Sequence, residues 1–333
     1  MNDATSARLL REIFLAGFMS GLPAENVAWA ASRLAGVMSD VHLRAGDVLY
    51  RAGDLAPDHF FLVDGQVKLE SNGAPPWTLG SHSLIGVLDV MLDRPRSRTV
   101  TATRDTHLFR VPAGDWFDML EDNFELARRA VQGLARSVHQ VRVELDEPSD
   151  SDDDDVGPRS VRRFDTPPLP LGLIDRIFAL RSVTLLAEAD VQAVTTLADL
   201  AREIEIAPGE TFISRGEPND SMVLVLSGEV TTSHAGSLPR ARFGPGKLVF
   251  GSASVSSDDL GYDARAEVAT RALRIGHEDF FDVMEEHFPL ARSVMKALSN
   301  ERERLMNERG GRAARSRAPD GTRSPSDTER QAP

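Results

Sequence analysis

A chain of 333 residues, 41% hydrophobic and 27% charged, is long enough for two hydrophobic cores of ordinary size. Its formal net charge of −13 argues against bulk attraction to nucleic acid or anionic lipid, and the lack of cysteine excludes disulfides, thiolate metal sites and a cysteine nucleophile. No apolar run approaches a membrane span and Met1-Asn2-Asp3 lacks the basic start of a secretion signal, so a cytoplasmic location is expected.

In chain order, a helical pattern covers Arg11 to Phe14 and then about residues 24 to 38. Short apolar runs punctuated by glycine follow: Gly46-Asp47, Gly53-Asp54, then Phe60-Phe61-Leu62-Val63 closing on Gly65. Glycine supplies the positive φ that tight turns demand, so this periodicity predicts antiparallel strands. After the strand ending at Val111 an amphipathic helix begins, with Phe117, Leu120, Phe124, Ala127, Val131, Leu134 and Val138 on one face. Residues 144 to 170 carry an acidic run, a basic cluster and prolines, which reads as a solvated linker. The whole pattern then repeats. Arg176-Ile177-Phe178 and a helix over about 187 to 202 lead to Gly209-Glu210, Gly216-Glu217 and Val223-Leu224-Val225-Leu226 closing on Gly228. The second helical face is Phe281, Met284, Phe288, Ala291, Met295 and Leu298. From Gly310 the periodicity ends at a Gly pair expected to cap the last helix. The expected organisation is a first domain over 1–143, a linker over 144–170, a second domain over 171–308 and an unstructured tail over 309–333.

These residues carry a resemblance. Gly46-Asp47-Val48-Leu49 with Gly53-Asp54, Gly65-Gln66-Val67, Ile85-Gly86, Pro95-Arg96-Ser97-Arg98-Thr99-Val100-Thr101-Ala102 and Asp115-Trp116-Phe117 resemble a cyclic-nucleotide-binding domain, the module of catabolite activator proteins and kinase regulatory subunits. The likeness covers about residues 8 to 140 and 172 to 306. It implies a mainly β, α+β fold: two antiparallel β-rolls of jelly-roll type (a double-stranded β-helix), each flanked by helices.

The resemblance also implies a phosphate-binding cassette. A Gly-Glu pair starts a short helix whose backbone N–H groups hold the cyclic phosphate, the Glu accepts the ribose 2′-hydroxyl and an Arg neutralises the phosphate. In the first repeat Gly86, Val87 and Leu88 stand at the helix start and Arg96 and Ser97 at the phosphate positions, so the ribose acceptor is replaced by Val87. The missing hydrogen bond corresponds to roughly 1–3 kcal/mol, a weakening without abolition. Arg94 and Arg98 are expected to add their field to the site. Arg96 itself, as a ligand residue, is expected to matter little to apo stability. In the second repeat the equivalent start is Gly251, Ser252 and Ala253. Matching Val268 to Val100 sets Ala264 opposite Arg96, with Arg265 one residue late. A cyclic nucleotide is therefore expected in the first repeat alone.

Other chemistry finds no seat. The histidines at 42, 59, 82, 107, 139, 234, 277 and 287 lack metal-ligand spacing, so no metal site is expected. Phosphate-loop, nucleophile-elbow and zinc-protease motifs are missing, and no catalytic residue is assigned. A helix-turn-helix has no room after about Asn307, so DNA is not an expected partner. Arg162-Arg163-Phe164-Asp165 is a poor match to a kinase inhibitor sequence. What remains is a non-enzymatic regulatory chain without a cofactor, taking cAMP, cGMP or a similar small anion and signalling to a protein partner. The alternative is a ligand-free interaction scaffold.

Overall fold

The computed structural model describes Thr5 and residues 8–10, 22–71, 74–145, 170–234 and 241–317. The helical expectation over Arg11 to Phe14, most of the linker (146–169) and the tail beyond 317 lie outside the described residues.

In the first repeat, helix α1 (Ala24–Ala35) precedes eight strands: β1 (Ser39–Leu43), β2 (Val48–Tyr50), β3 (Asp58–Asp64), β4 (Gln66–Ser71), β5 (Ala74–Gly80), β6 (Ser83–Ile85), β7 (Thr99–Ala102) and β8 (Thr106–Pro112). They form two four-stranded antiparallel sheets, ordered β1-β8-β3-β6 and β2-β7-β4-β5. Between β6 and β7 lies one short helix, α2 (Val87–Met91); α3 (Ala113–Asp122) and α4 (Phe124–Leu145) follow β8. The second repeat has α5 (Leu173–Arg181), α6 (Val191–Leu200), β9 (Arg202–Ile206), β10 (Thr211–Ile213), β11 (Ser221–Ser227), β12 (Val230–Ser233), β13 (Ala241–Phe243), β14 (Asp263–Ala266), β15 (Thr270–Gly276), α7 (His277–Glu286) and α8 (Phe288–Arg317). Its sheets are β11-β15-β9 and β10-β14-β12-β13. The bridge Leu224↔Leu248 stands where β3 and β6 pair in the first copy. Both repeats are thus β-rolls with flanking helices, as the sequence predicts.

Strand alternation separates two kinds of core. Phe60 and Leu62 of β3 point between the sheets, into a cluster with Val67, Ile85, Val100 and Leu108, while Phe61 points to the helices. In β11, Val223 and Val225 face Phe243 and Phe250, while Met222, Leu224 and Leu226 face the helices. The turn glycines 46, 53, 65, 209, 216 and 228 all have positive φ. At Gly65 and Gly228 the need is also spatial, since a Cβ would lie 2.4 Å from the hydroxyl of Thr106 or Thr270.

The expected helical stripes are real but interrupted. Asn123 (φ −138°, ψ 87°) and His287 (φ −126°, ψ 71°) break each stripe into a short helix and a long one. The last helix also continues through Gly310-Gly311 to Arg317 rather than capping there. The long helices α4 and α8 pack on one another: Arg302 Nε donates to Ser137 Oγ at 2.7 Å, Arg142 Nε to Glu301 at 2.8 Å, and Arg309 pairs with Glu144. From the Ser137–Arg302 contact to the Glu144–Arg309 contact both helices advance by seven residues, so they run parallel, and the helical faces of the two repeats merge into one shared apolar cluster.

Candidate functional site: two cassettes of unequal chemistry

In the first repeat, Gly86 (φ 77°) turns the chain out of β6 and into α2, which begins at Val87. Val87 and Leu88 are half-buried, and Asp93 at φ 49° reverses the chain toward Pro95 and Arg96. Two backbone hydrogen bonds then clamp this loop to the Gly53-Asp54 turn, Arg96 N to Asp54 O and Gly53 N to Arg96 O, each 2.8 Å. The second Gly-Asp turn of the repeat is therefore what positions the cassette arginine.

Arg96 is only 3% exposed. Its guanidinium lies 4.2 Å from the centroid of the Tyr50 ring, donates through Nη1 to Gly86 O at 3.1 Å, and through Nη2 to Asp58 O, with Asp58 Oδ1 at 3.4 Å. A Cβ at Gly86 would meet Nη1 at 2.3 Å, so this approach requires glycine. The Asp58 carboxylate is shared with Arg110. Burial raises the Tyr50 phenol above its usual range, which keeps it neutral. Arg96 Nε is buried and finds no partner among the described residues. These contacts tie the cassette to β3 and give Arg96 a structural role beside the ligand role expected of it.

Ser97 is half-buried beside it. The neighbouring arginines are both held by the protein, Arg94 by carboxylates and Arg98 by neutral groups. Arg94 binds Glu303 of α8 through both Nη atoms (2.7 and 2.6 Å) and Asp89 through Nε at 3.0 Å, and the Glu303 hydrogen bond is the largest influence raising its pKa. Arg98 stacks on Trp77 at 4.2 Å and donates to Ser71 Oγ at 3.2 Å. Asp89 is buried and held by Arg94, so it offers no substitute for a ribose-binding carboxylate at Val87.

The second cassette is built differently. Phe250 (φ 64°) leads into a 3₁₀ turn, Gly251–Val255. Ser252 Oγ donates to the carboxylate of Glu301, itself held by Arg142 of α4. Ala253 is buried. His277 Nε2 lies 2.7 Å from Ser254 O, and Asn219 Nδ2 donates to the same oxygen at 2.8 Å. Sheet pairing corrects the register read from sequence. Leu69↔Val100 and Val67↔Ala102 in the first repeat correspond to Thr232↔Ala264 and Val230↔Ala266 in the second. The backbone bonds Gly46 N to Ala102 O and Gly209 N to Ala266 O agree. Ala264 is therefore the partner of Val100, four residues earlier than Val268. The counterpart of Arg96 is Leu260, which is 4% exposed. Arg265 lies on β14 as the counterpart of Thr101, displaced from the phosphate position. A leucine and a buried-side carboxylate occupy the places where an anion needs a cation and free N–H groups.

Each cassette is covered by the long helix of the other repeat. Glu303 of α8 reaches Arg94, while on the other side Arg136 of α4 bonds Asp258 (2.6 Å) and Gln132 bonds Ser257 Oγ (3.0 Å). Through the register above, Asp258 is the counterpart of Arg94, so the same position carries opposite charges and takes opposite partners. The sequence reading missed Tyr50, Asp58, Glu301 and Glu303. No local motif marks them, since each acts across strands or between repeats.

A family model of the cyclic nucleotide-binding domain matches residues 40–123 and 203–287, about half the chain. The chain belongs to the cyclic nucleotide-binding domain family, with two copies in tandem. Among solved structures it is similar to cAMP-bound PfPKA-R (141–441), at 16% identity over 93% of each chain and a TM-score of 0.37. It is also similar to the regulatory subunit of a cAMP-independent protein kinase A from Trypanosoma brucei, at 16% identity over 92% of this chain and 97% of that one, TM-score 0.34. Among curated proteins, Lysophospholipase NTE1 of Cryptococcus neoformans is 37% identical over 75 residues, 21% of this chain. The chain spans about 5% of the length of the first such relatives it matches. Among the described residues no helix is long and apolar enough to cross a membrane.

Proposed function

We propose that this chain is a non-enzymatic regulatory protein whose first repeat binds a cyclic nucleotide or a similar small anion, and which passes the resulting change to a protein partner. The observation that carries the reading is the Nε of Arg96, a buried cationic donor with no partner among the described residues, at the cassette position that the family uses for phosphate. Leaving such a donor unmade costs about 1–3 kcal/mol, and an anion oxygen supplies the missing acceptor. Gly86, Val87, Leu88 and Ser97 are the other ligand-contact residues in this reading; Gly251, Ser252 and Ala253 form a degenerate, unused site. The route to a partner is the Arg94–Glu303 pair, through which movement of the first cassette is felt on α8 of the second repeat.

Titration with cAMP and cGMP tests this directly. Trp77 stacks on Arg98 beside the cassette, so its fluorescence reports ligand entry. One ligand per chain is expected, with loss of binding in Arg96→Ala; two equivalent sites by calorimetry would contradict the asymmetry. A specific observation favours the scaffold reading as the second choice. Both Nη atoms of Arg96 are already bonded to the protein, so the residue also serves packing. No change in fluorescence or melting with millimolar cAMP or cGMP, in wild type and in Val87→Glu alike, would leave that scaffold.

A further inference from the structure

The outer face of the β1–β8 pair brings together three side chains that sequence spacing keeps apart. Asp40 and His42 are two residues apart on β1 and so share a face of the sheet, and His42 lies directly opposite His107 of β8 in the strand register. The two imidazoles stack with centroids 4.4 Å apart and planes 13° apart. Asp40 Oδ1 is 2.6 Å from His107 Nε2. One donor atom from each of the three residues lies within 4.8 Å of the other two. The Phe109 and His107 rings meet in a T-shaped pair, centroids 5.2 Å apart.

From this juxtaposition we infer that Asp40, His42 and His107 form a binding site for one divalent transition-metal ion, zinc being the natural occupant. Two neutral imidazoles and a carboxylate are ligands that zinc accepts, with water in the fourth position. Zinc–ligand bonds of about 2.0–2.2 Å place ligand atoms about 3.3–3.6 Å apart in a tetrahedron. Closing from 4.8 Å to that spacing requires Asp40 and His42, both exposed, to rotate, with His42 leaving its stack on His107 so that the two ring lone pairs converge. The bound ion would clip the edge strand β1 to β8.

The second repeat supplies an internal comparison. The same three positions, given by the pairing of β9 with β15, hold Glu203, Glu205 and Arg271. There Arg271 Nη2 donates to Glu203 Oε2 at 3.0 Å, an ordinary ion pair. A guanidinium cannot ligate a metal, whereas the first repeat has imidazoles at two of the three positions. The site is thus specific to one copy, and it is independent of the nucleotide reading.

The full chain, stripped with chelator, is titrated with zinc by calorimetry and with cobalt(II) by visible absorption. The expected result is one saturable equivalent per chain, the absorption of a tetrahedral or five-coordinate cobalt centre, and a rise in melting temperature that chelator reverses. His107→Arg, which installs the second repeat's residue and can keep the pair with Asp40, should lose saturable binding while its metal-free urea midpoint stays at the wild-type value. His42→Asn should lose it too, and serves if the first variant folds poorly. Absence of saturable binding in the wild type, or binding retained in both variants, overturns the assignment.

Discussion

Replacing Arg96 by alanine removes the donor from two carbonyls, Gly86 O and Asp58 O, in a site where the side chain is almost wholly buried. Each abandoned acceptor costs about 1–3 kcal/mol, the lost contact with the Tyr50 face adds about 1 kcal/mol, and relief of a buried charge offsets part of the sum. Asp58 keeps Arg110, so its carboxylate is not orphaned. The net expectation is a loss of about 2–4 kcal/mol in the apo protein. Urea unfolding followed by tryptophan fluorescence measures it in the right place, because all three tryptophans, Trp29, Trp77 and Trp116, lie in the first repeat. Arg96→Lys should recover less than half of the loss, since an ammonium cannot fork between two carbonyls as a planar guanidinium does. A loss below about 0.5 kcal/mol in Arg96→Ala would refute the reasoning and make the arginine a ligand residue alone.

Val87→Glu restores a carboxylate at the first position of α2 and should tighten cyclic-nucleotide binding about ten- to a hundredfold, measured by competition titration. His59 is fully buried, with both ring nitrogens unpartnered among the described residues, and burial, reinforced by Arg96, lowers its pKa to about 3. The unfolded chain therefore binds a proton below pH ~6.5 that the folded chain refuses, so first-repeat stability should fall by up to about 1.4 kcal/mol per pH unit from there toward pH 3. Urea midpoints of His59→Leu should show a flatter profile over that window. Glu303→Gln leaves Arg94 with Asp89 alone; a partly exposed bidentate pair is worth about 1 kcal/mol, so a modest drop in midpoint is expected, with first-cassette ligand affinity altered although Glu303 lies in the other repeat.

The β-rolls were legible because their signals are local. Glycine at positive φ and period-two apolar runs are properties of a few adjacent residues, and Gly65 and Gly228 show why the positions tolerate nothing larger. The second cassette was misregistered for the opposite reason. Its loop from Gly251 to Ala264 is one residue shorter than that from Gly86 to Val100, and a valine at 268 offered a more obvious match than the small alternating Ala264 and Ala266. Only the pairing of β14 with β12 fixes the true alignment. The apolar stripes on α4 and α8 were also visible, but a stripe does not say what covers it, and here each helix covers the other and reaches the other's cassette. Asp40, His42 and His107 escaped notice because strand pairing, not sequence distance, brings them together.

Duplication followed by divergence at matched positions gives the asymmetry its physical meaning. Arg96 against Leu260, and Arg94 against Asp258, are substitutions at the same places in two copies of one fold, and each is locally satisfied: Leu260 in apolar packing, Asp258 by Arg136. The Arg136 hydrogen bond also holds the Asp258 carboxyl below its usual range, so that contact strengthens above the normal carboxylate pKa and weakens as pH falls through the lowered value. In the second cassette Ser252, Asp258 and the Ser254 carbonyl are bonded within the chain, by Glu301, Arg136 and His277, while the Ser254 hydroxyl is buried with no partner among the described residues. In the first cassette one donor, Arg96 Nε, is left over. What separates the two cassettes is the kind of group left over: the guanidinium donor of Arg96 attracts an anion, whereas the Ser254 hydroxyl carries no charge. On the proposed function, the Arg94–Glu303 pair joins the cassette that carries the unmet cationic donor to α8 of the other repeat, the contact through which a one-site switch would act.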